Sequence, residues 1–108
     1  MISEVDVNRI SERWVEAFSV DPYAVRRRDM DAWHELDQLI DERPEDALLV
    51  IEKIAEKDLI NWTFEGIAIG PLRSFLMRYG DGYNNQLRAI RGRNKAFDEM
   101  HAMATEGI

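Results

Sequence analysis

The run Ile67-Ala68-Ile69-Gly70-Pro71-Leu72-Arg73-Ser74-Phe75-Leu76 keeps an apolar helical spacing on both sides of a glycine and a proline. Pro71 has no N–H and cannot make the bond to Ile67 that an unbroken helix requires, so the chain must kink here or end one helix and begin another. Its neighbours are core-type residues, which puts the interruption inside the interior rather than in a surface loop. Such a chain folds as short helices packed on one another.

The remaining punctuation agrees. Val7, Ile10, Trp14, Ala17 and Phe18 recur at helical spacing, with Ser3 or Asp6 placed to cap the start. Asp21-Pro22-Tyr23 ends that helix. A second begins near Asp29 or Asp31, carries Trp33, Leu36, Leu39 and Ile40 on one stripe, and stops at Glu42-Arg43, because Pro44 pushes the residue before it out of helical dihedrals. Pro44 suits the first position of a third helix, whose buried stripe is Ala47, Leu48, Ile51, Ile54 and Ala55. A fourth takes Trp62 or Phe64, Ile67 and Ala68 inward and ends near Gly70. A fifth runs from Pro71 to Tyr79, and Gly80-Asp81-Gly82 stops it. A short helix around Leu87 and Ile90 and a last one over residues 95–105, burying Phe97, Met100 and Met103 or Ala104, complete the chain. No segment alternates with period two. The expectation is an all-α single domain over residues 1–108, made of six or seven short helices packed as antiparallel helical hairpins. It contains an acidic hairpin over 29–56 and a helix pair over 60–79 broken at Gly70-Pro71.

Three landmarks stand in order: Trp33-His34-Glu35-Leu36-Asp37-Gln38-Leu39, Pro44-Glu45-Asp46-Ala47 and Ile69-Gly70-Pro71-Leu72-Arg73. Together they resemble a bacterial family of small all-helical proteins of unknown function, over residues 32–100. The resemblance implies an all-helical fold and carries no activity. The family pattern prefers Glu where this chain has Arg73. A glutamate at the start of a helix complements the helix dipole, and arginine does not.

Composition narrows the field of functions. The absence of cysteine excludes disulfides, zinc–thiolate sites and thiol nucleophiles. No apolar run approaches the roughly 20 residues of a membrane span, and the acidic N-terminus lacks the blocks of a signal peptide, so a cytoplasmic protein without a membrane partner is expected. Net charge is −7, and it is uneven. Residues 1–58 hold 16 acids and 8 bases, for −8, whereas 59–108 hold 5 and 6, for +1. This balance disfavours nucleic acid, whose binding rests on neutralised phosphates, and suits a basic protein partner. Eight acids lie between Asp29 and Asp46, with Arg43 as the one base among them. Asp31 and Glu35, and Asp37 and Asp41, stand at i, i+4, a mildly repulsive spacing.

The constellations that could carry chemistry are few. Asp31 and His34, and Asp98 and His101, form two carboxylate–histidine pairs at i, i+3, an echo of di-iron bundles; His34, however, flanks the apolar stripe toward solvent. Arg26-Arg27-Arg28 reads as a loop paired with nearby acids, and Arg88, Arg91, Arg93 and Lys95 as a solvated basic face. Trp14, Trp33 and Trp62 read as core anchors. Trp62 and Phe64 cannot share one buried stripe, so one of them is a candidate interface anchor. No nucleophile–base arrangement or phosphate loop is legible, and no cofactor is expected.

The functional expectation is a non-enzymatic protein-binding module, of the inhibitor or immunity type, that neutralises a basic partner through Asp31, Glu35, Asp37, Asp41, Glu42 and Trp62. The alternative is a structural or oligomerising domain, a homodimer through the Trp62–Phe64 or Met100–Met103 surface. Behind both stands a metal-dependent enzyme using Asp31, His34, Asp98 and His101.

Overall fold

The computed structural model describes residues 2–18 and 27–106, and the side chains of 27–29 are not described. Asp21-Pro22-Tyr23 and Arg26 lie outside the described residues. Within them every regular element is helical and none is a strand, as the spacing predicts.

Among the described residues five continuous helical stretches replace the expected six or seven. α1 is Glu4–Phe18, α2 is Arg27–Glu42 and α3 is Pro44–Ala55. α4 spans residues 61–93 and α5 is Lys95–Thr105. Ser3 rather than Asp6 caps α1, its Oγ accepting from the Asp6 N–H at 3.1 Å. Arg27 and Arg28 belong to the start of α2 and not to a loop. α3 follows α2 after Arg43 alone and has Pro44 in its first turn, with Glu45 and Asp46 at the positive end of its dipole.

The expected break at Gly70-Pro71 is not a break. α4 opens as the α-helical segment α4a (Asn61–Ile67), widens into a π-helical turn over Ala68–Leu72, and resumes as α4b (Arg73–Tyr79). The wide turn absorbs the missing proline N–H: the Arg73 N–H reaches back to the carbonyls of Ala68 and Gly70, and Pro71 is buried inside the helix. A 3-10 turn over Gly80–Tyr83 leads into α4c (Asn84–Arg93). Gly80 has φ of +53°, the left-handed region that favours glycine.

α1, α2 and α3 pack on one another, and α5 packs on α3, on the wide turn of α4 and on α4c. Trp14, Phe75 and Phe97 are fully buried where these layers meet, each burial contributing about 2–3 kcal/mol by area. Trp14 stacks at 4.5 Å on Phe18 and at 6.4 Å on Trp33, between ring centroids. The Thr63 hydroxyl donates to the Phe18 carbonyl at 2.9 Å and fastens α4a to the end of α1. Arg93 grips Glu52 of α3 with two bonds of 2.8 and 2.6 Å. Beside it Asn94 caps α5, accepting from the Phe97 N–H at 2.9 Å. Met100 is fully buried and Met103 partly buried against the core, so of the Met100–Met103 surface expected as a dimer face Met100 is interior and only part of Met103 is open.

Candidate functional site

α2 buries Ala32, Leu36 and Ile40 on one side and presents its acids on the others. Those acids do not face Arg43 alone, because folding delivers bases from distant helices. On the α1 flank, Glu35 takes Arg9 Nη1 at 3.2 Å and Arg13 Nη1 at 3.7 Å. On the α4 flank, Asp37 Oδ1 takes Arg78 Nη2 at 2.6 Å. These pairs are partly solvated and each stabilises by about 0–1 kcal/mol, but they relieve the like-charge spacing within α2. Asp46, expected among the surface acids, is buried.

Asp31, His34, Gln38, Asp41 and Glu42 remain along the outer crest of α2, all exposed. The Gln38 amide donates to Glu42 at 3.1 Å. A shallow groove of about 270 Å³ runs between α1 and α2, floored by Ile2, Ile10 and Leu39 and walled by Asp6, Glu35 and Glu42 against Arg9 and Arg43. Glu35 and Glu42, two of the expected binding residues, therefore share one concave strip.

The other edge of α2 lies along α4. Trp33 rests on Gly70 so closely that a methyl group there would collide with Cη2 and stand 2.9 Å from Cζ3. Further along, Arg78 meets Asp37, and the Tyr79 hydroxyl donates to the carbonyls of Ile40 and Asp41 at the end of α2. Three contacts advancing together along both helices fix their register. Three apolar side chains of α2 and α4 stand exposed: Ile69 (47%), Met77 (70%) and Met30 (40%). Arg78 carried no sequence signal, since its partner is 41 residues away.

The remaining candidates separate. Trp62 is 43% exposed, whereas Phe64 packs on the core, so Trp62 is the exposed one of the pair and not a core residue. It stands on α4a, away from the α2 crest. Asp31 and His34 lie on α2, whereas Asp98 and His101 lie on α5. Asp98 is held by Arg91 Nε at 2.8 Å. Among the described residues no three histidine, aspartate or glutamate side chains gather closely enough to share a metal ion. Burial, then the charge of Arg91, depresses the His101 imidazole below its ordinary pKa, with Asp98 opposing. In the basic cluster, Arg91 is spent on Asp98 and Arg93 on Glu52, whose carboxylate raises the guanidinium further above its ordinary value. At the α2–α3 corner, partial burial and then the Glu45 carboxylate raise the Tyr83 phenol. No described helix is long and apolar enough to cross a membrane.

No protein-family model, no curated protein and no solved structure matches this chain.

Proposed function

We propose that this protein is a non-enzymatic binding module that neutralises a basic protein partner, in the manner of an inhibitor or immunity protein acting in the cytoplasm. The observation that carries this reading is the crest of α2, where Asp31, Asp41 and Glu42 are exposed while the acids on its flanks, Glu35 and Asp37, are already held by Arg9, Arg13 and Arg78. The paired acids brace α2 against α1 and α4; the exposed ones supply its field. A basic surface approaching the crest meets carboxylates that no described base already holds, Glu42 having only the neutral Gln38 amide as its partner.

Affinity capture of partners at low and high salt, repeated with Asp41→Lys/Glu42→Lys, tests this. The double charge reversal should weaken binding by about tenfold or more, ~1.4 kcal/mol, and salt should do the same. Binding that ignores both salt and the reversal sinks the electrostatic reading.

Trp62 and its neighbour Ile60, both exposed, favour a second reading, a homodimer through the start of α4. Light scattering of Trp62→Ala against the unmodified protein separates the two: a fall from dimer to monomer supports the oligomerising domain.

A further inference from the structure

We infer that the groove between α1 and α3 is the seat for one long basic side chain of the partner, its stem on Ile2, Val7 and Leu49 and its charged head between Glu4 and Glu56. This rests on the reading of the protein as a binder of basic partners and adds the group recognised and the place that receives it.

One cavity of about 350 Å³ joins these residues. Its α1 wall is a single helix face, with Glu4, Val7 and Asn8 at i, i+3 and i+4. Its α3 wall is likewise one face, running from Leu49 through Glu52 and Lys53 to Glu56. Val7 is buried, and Ile2 and Leu49 are half-buried against the core, so the groove has an apolar floor. Glu4 and Glu56 stand exposed at its rim. Ile2 also floors the groove between α1 and α2, where Glu42 stands. The seat therefore adjoins the strip that carries the crest acids.

Charge selects the occupant. Three acids line the groove against one base, Lys53. That base is held by Glu56 at 3.6 Å, and the buried Glu52 is gripped by Arg93. The Lys53–Glu56 pair is solvated and weak, so Glu56 can turn to a second cation. The Glu4 carboxylate has no partner among the described residues. Asn8 adds, in its Oδ1, the one buried side-chain acceptor that lacks a donor among the described residues. Turning that amide over would free the oxygen to accept from an entering head group. Every uncommitted group on these walls is thus an anion or an amide. An apolar floor under an acidic rim matches a methylene stem with a cationic head, and it opposes an acidic side chain. Arginine is the natural probe, because its guanidinium is weakly hydrated and spreads five donors over one plane.

The test titrates the whole protein at low salt with three probes, each followed by amide NMR shifts. N-acetylarginine amide carries stem and head, N-acetylnorleucine amide the stem alone, and guanidinium ion the head alone. The arginine probe should shift Val7, Asn8, Leu49 and Lys53 and bind at least about fivefold more tightly than either fragment. Glu4→Gln/Glu56→Gln, both at exposed positions, should weaken it by about fivefold or more. Lys53→Gln, which frees Glu56, should tighten it, a gain that damage to the fold could not give. Equal binding of the norleucine probe, or no effect of either variant, overturns the inference. Shifts that fall on Asp41 and Glu42 instead, and vanish with Asp41→Lys/Glu42→Lys, overturn the groove while leaving an acidic binder standing. Groove binding in a protein whose captured partners ignore salt and charge reversal overturns the parent reading and the partner named here, but not the seat. Self-association abolished by Glu4→Gln/Glu56→Gln makes a second copy the occupant and overturns the partner. Absence of any shift with the arginine probe overturns the inference.

Discussion

Gly70 has no side chain because the six-membered ring of Trp33 fills the space that one would need. The ring cannot retreat cheaply: it is half-buried, 6.4 Å from Trp14 and 5.9 Å from Phe18. Gly70→Ala should therefore destabilise the fold by about 1–3 kcal/mol, the usual cost of overpacking, although alanine is the better helix former. Trp33→Leu should remove most of that penalty, so a double-mutant cycle in urea unfolding should show clear coupling between the two sites. Additive effects would mean that the indole yields freely. The Glu52–Arg93 pair shows a different economy at the same scale. Its carboxylate side chain is 11% exposed and its guanidinium 55% exposed, so water can replace the carboxylate for Arg93 but not the guanidinium for Glu52.

Among the elements, α5 owes its end to a residue from the middle of the chain. Arg73 Nε donates to the Ala104 carbonyl at 3.0 Å, and its Nη2 donates to Met103 and Glu106 at 3.4 and 2.8 Å. These carbonyls have no partner within the helix and carry the negative end of its dipole. A glutamate at this position would face that negative end with a like charge. Arg73→Ala should cost about 1–2 kcal/mol, and Arg73→Glu more, with faster amide exchange confined first to the last turn of α5. Equal exchange in both variants and the unmodified protein would contradict this. The buried stripes of α1 and α3 were legible because every turn supplies an apolar residue, and Pro44 marks the start of α3 whatever the tertiary context. The wide turn was not legible, since Gly70-Pro71 is compatible with a helix end, a kink or a π turn, and only the packing of Trp33, Pro71 and Arg73 chooses between them. The candidate site was half legible. The acids of α2 stand in a row in the sequence, but which of them are held by Arg9, Arg13 and Arg78 depends on helices that meet only after folding.

For the whole molecule, acidity and helix packing meet at His101. Burial and Arg91 hold its imidazole below the ordinary value, so the unfolded chain takes up the proton first as pH falls. Stability should thus decline as pH drops through about 6.5, beyond what the carboxylates impose at lower pH, and then level off below the depressed value. The effect is moderated by the solvent that still reaches the ring. Thermal melts between about pH 7.5 and 5.5 should fall less steeply for His101→Gln, and parallel profiles would rule His101 out. The wide turn at Ala68–Leu72 has a consequence at this scale too. A helix advances by about 100° per residue, so one residue more or fewer re-aims everything after it. The turn is a phase setter: it holds about one residue more than an α turn, and α4b leaves it with Arg78 and Tyr79 on α2 and Arg73 on the end of α5. One residue inserted into α4a would swing that segment relative to α4b and cost the chain the addresses at which its helices meet.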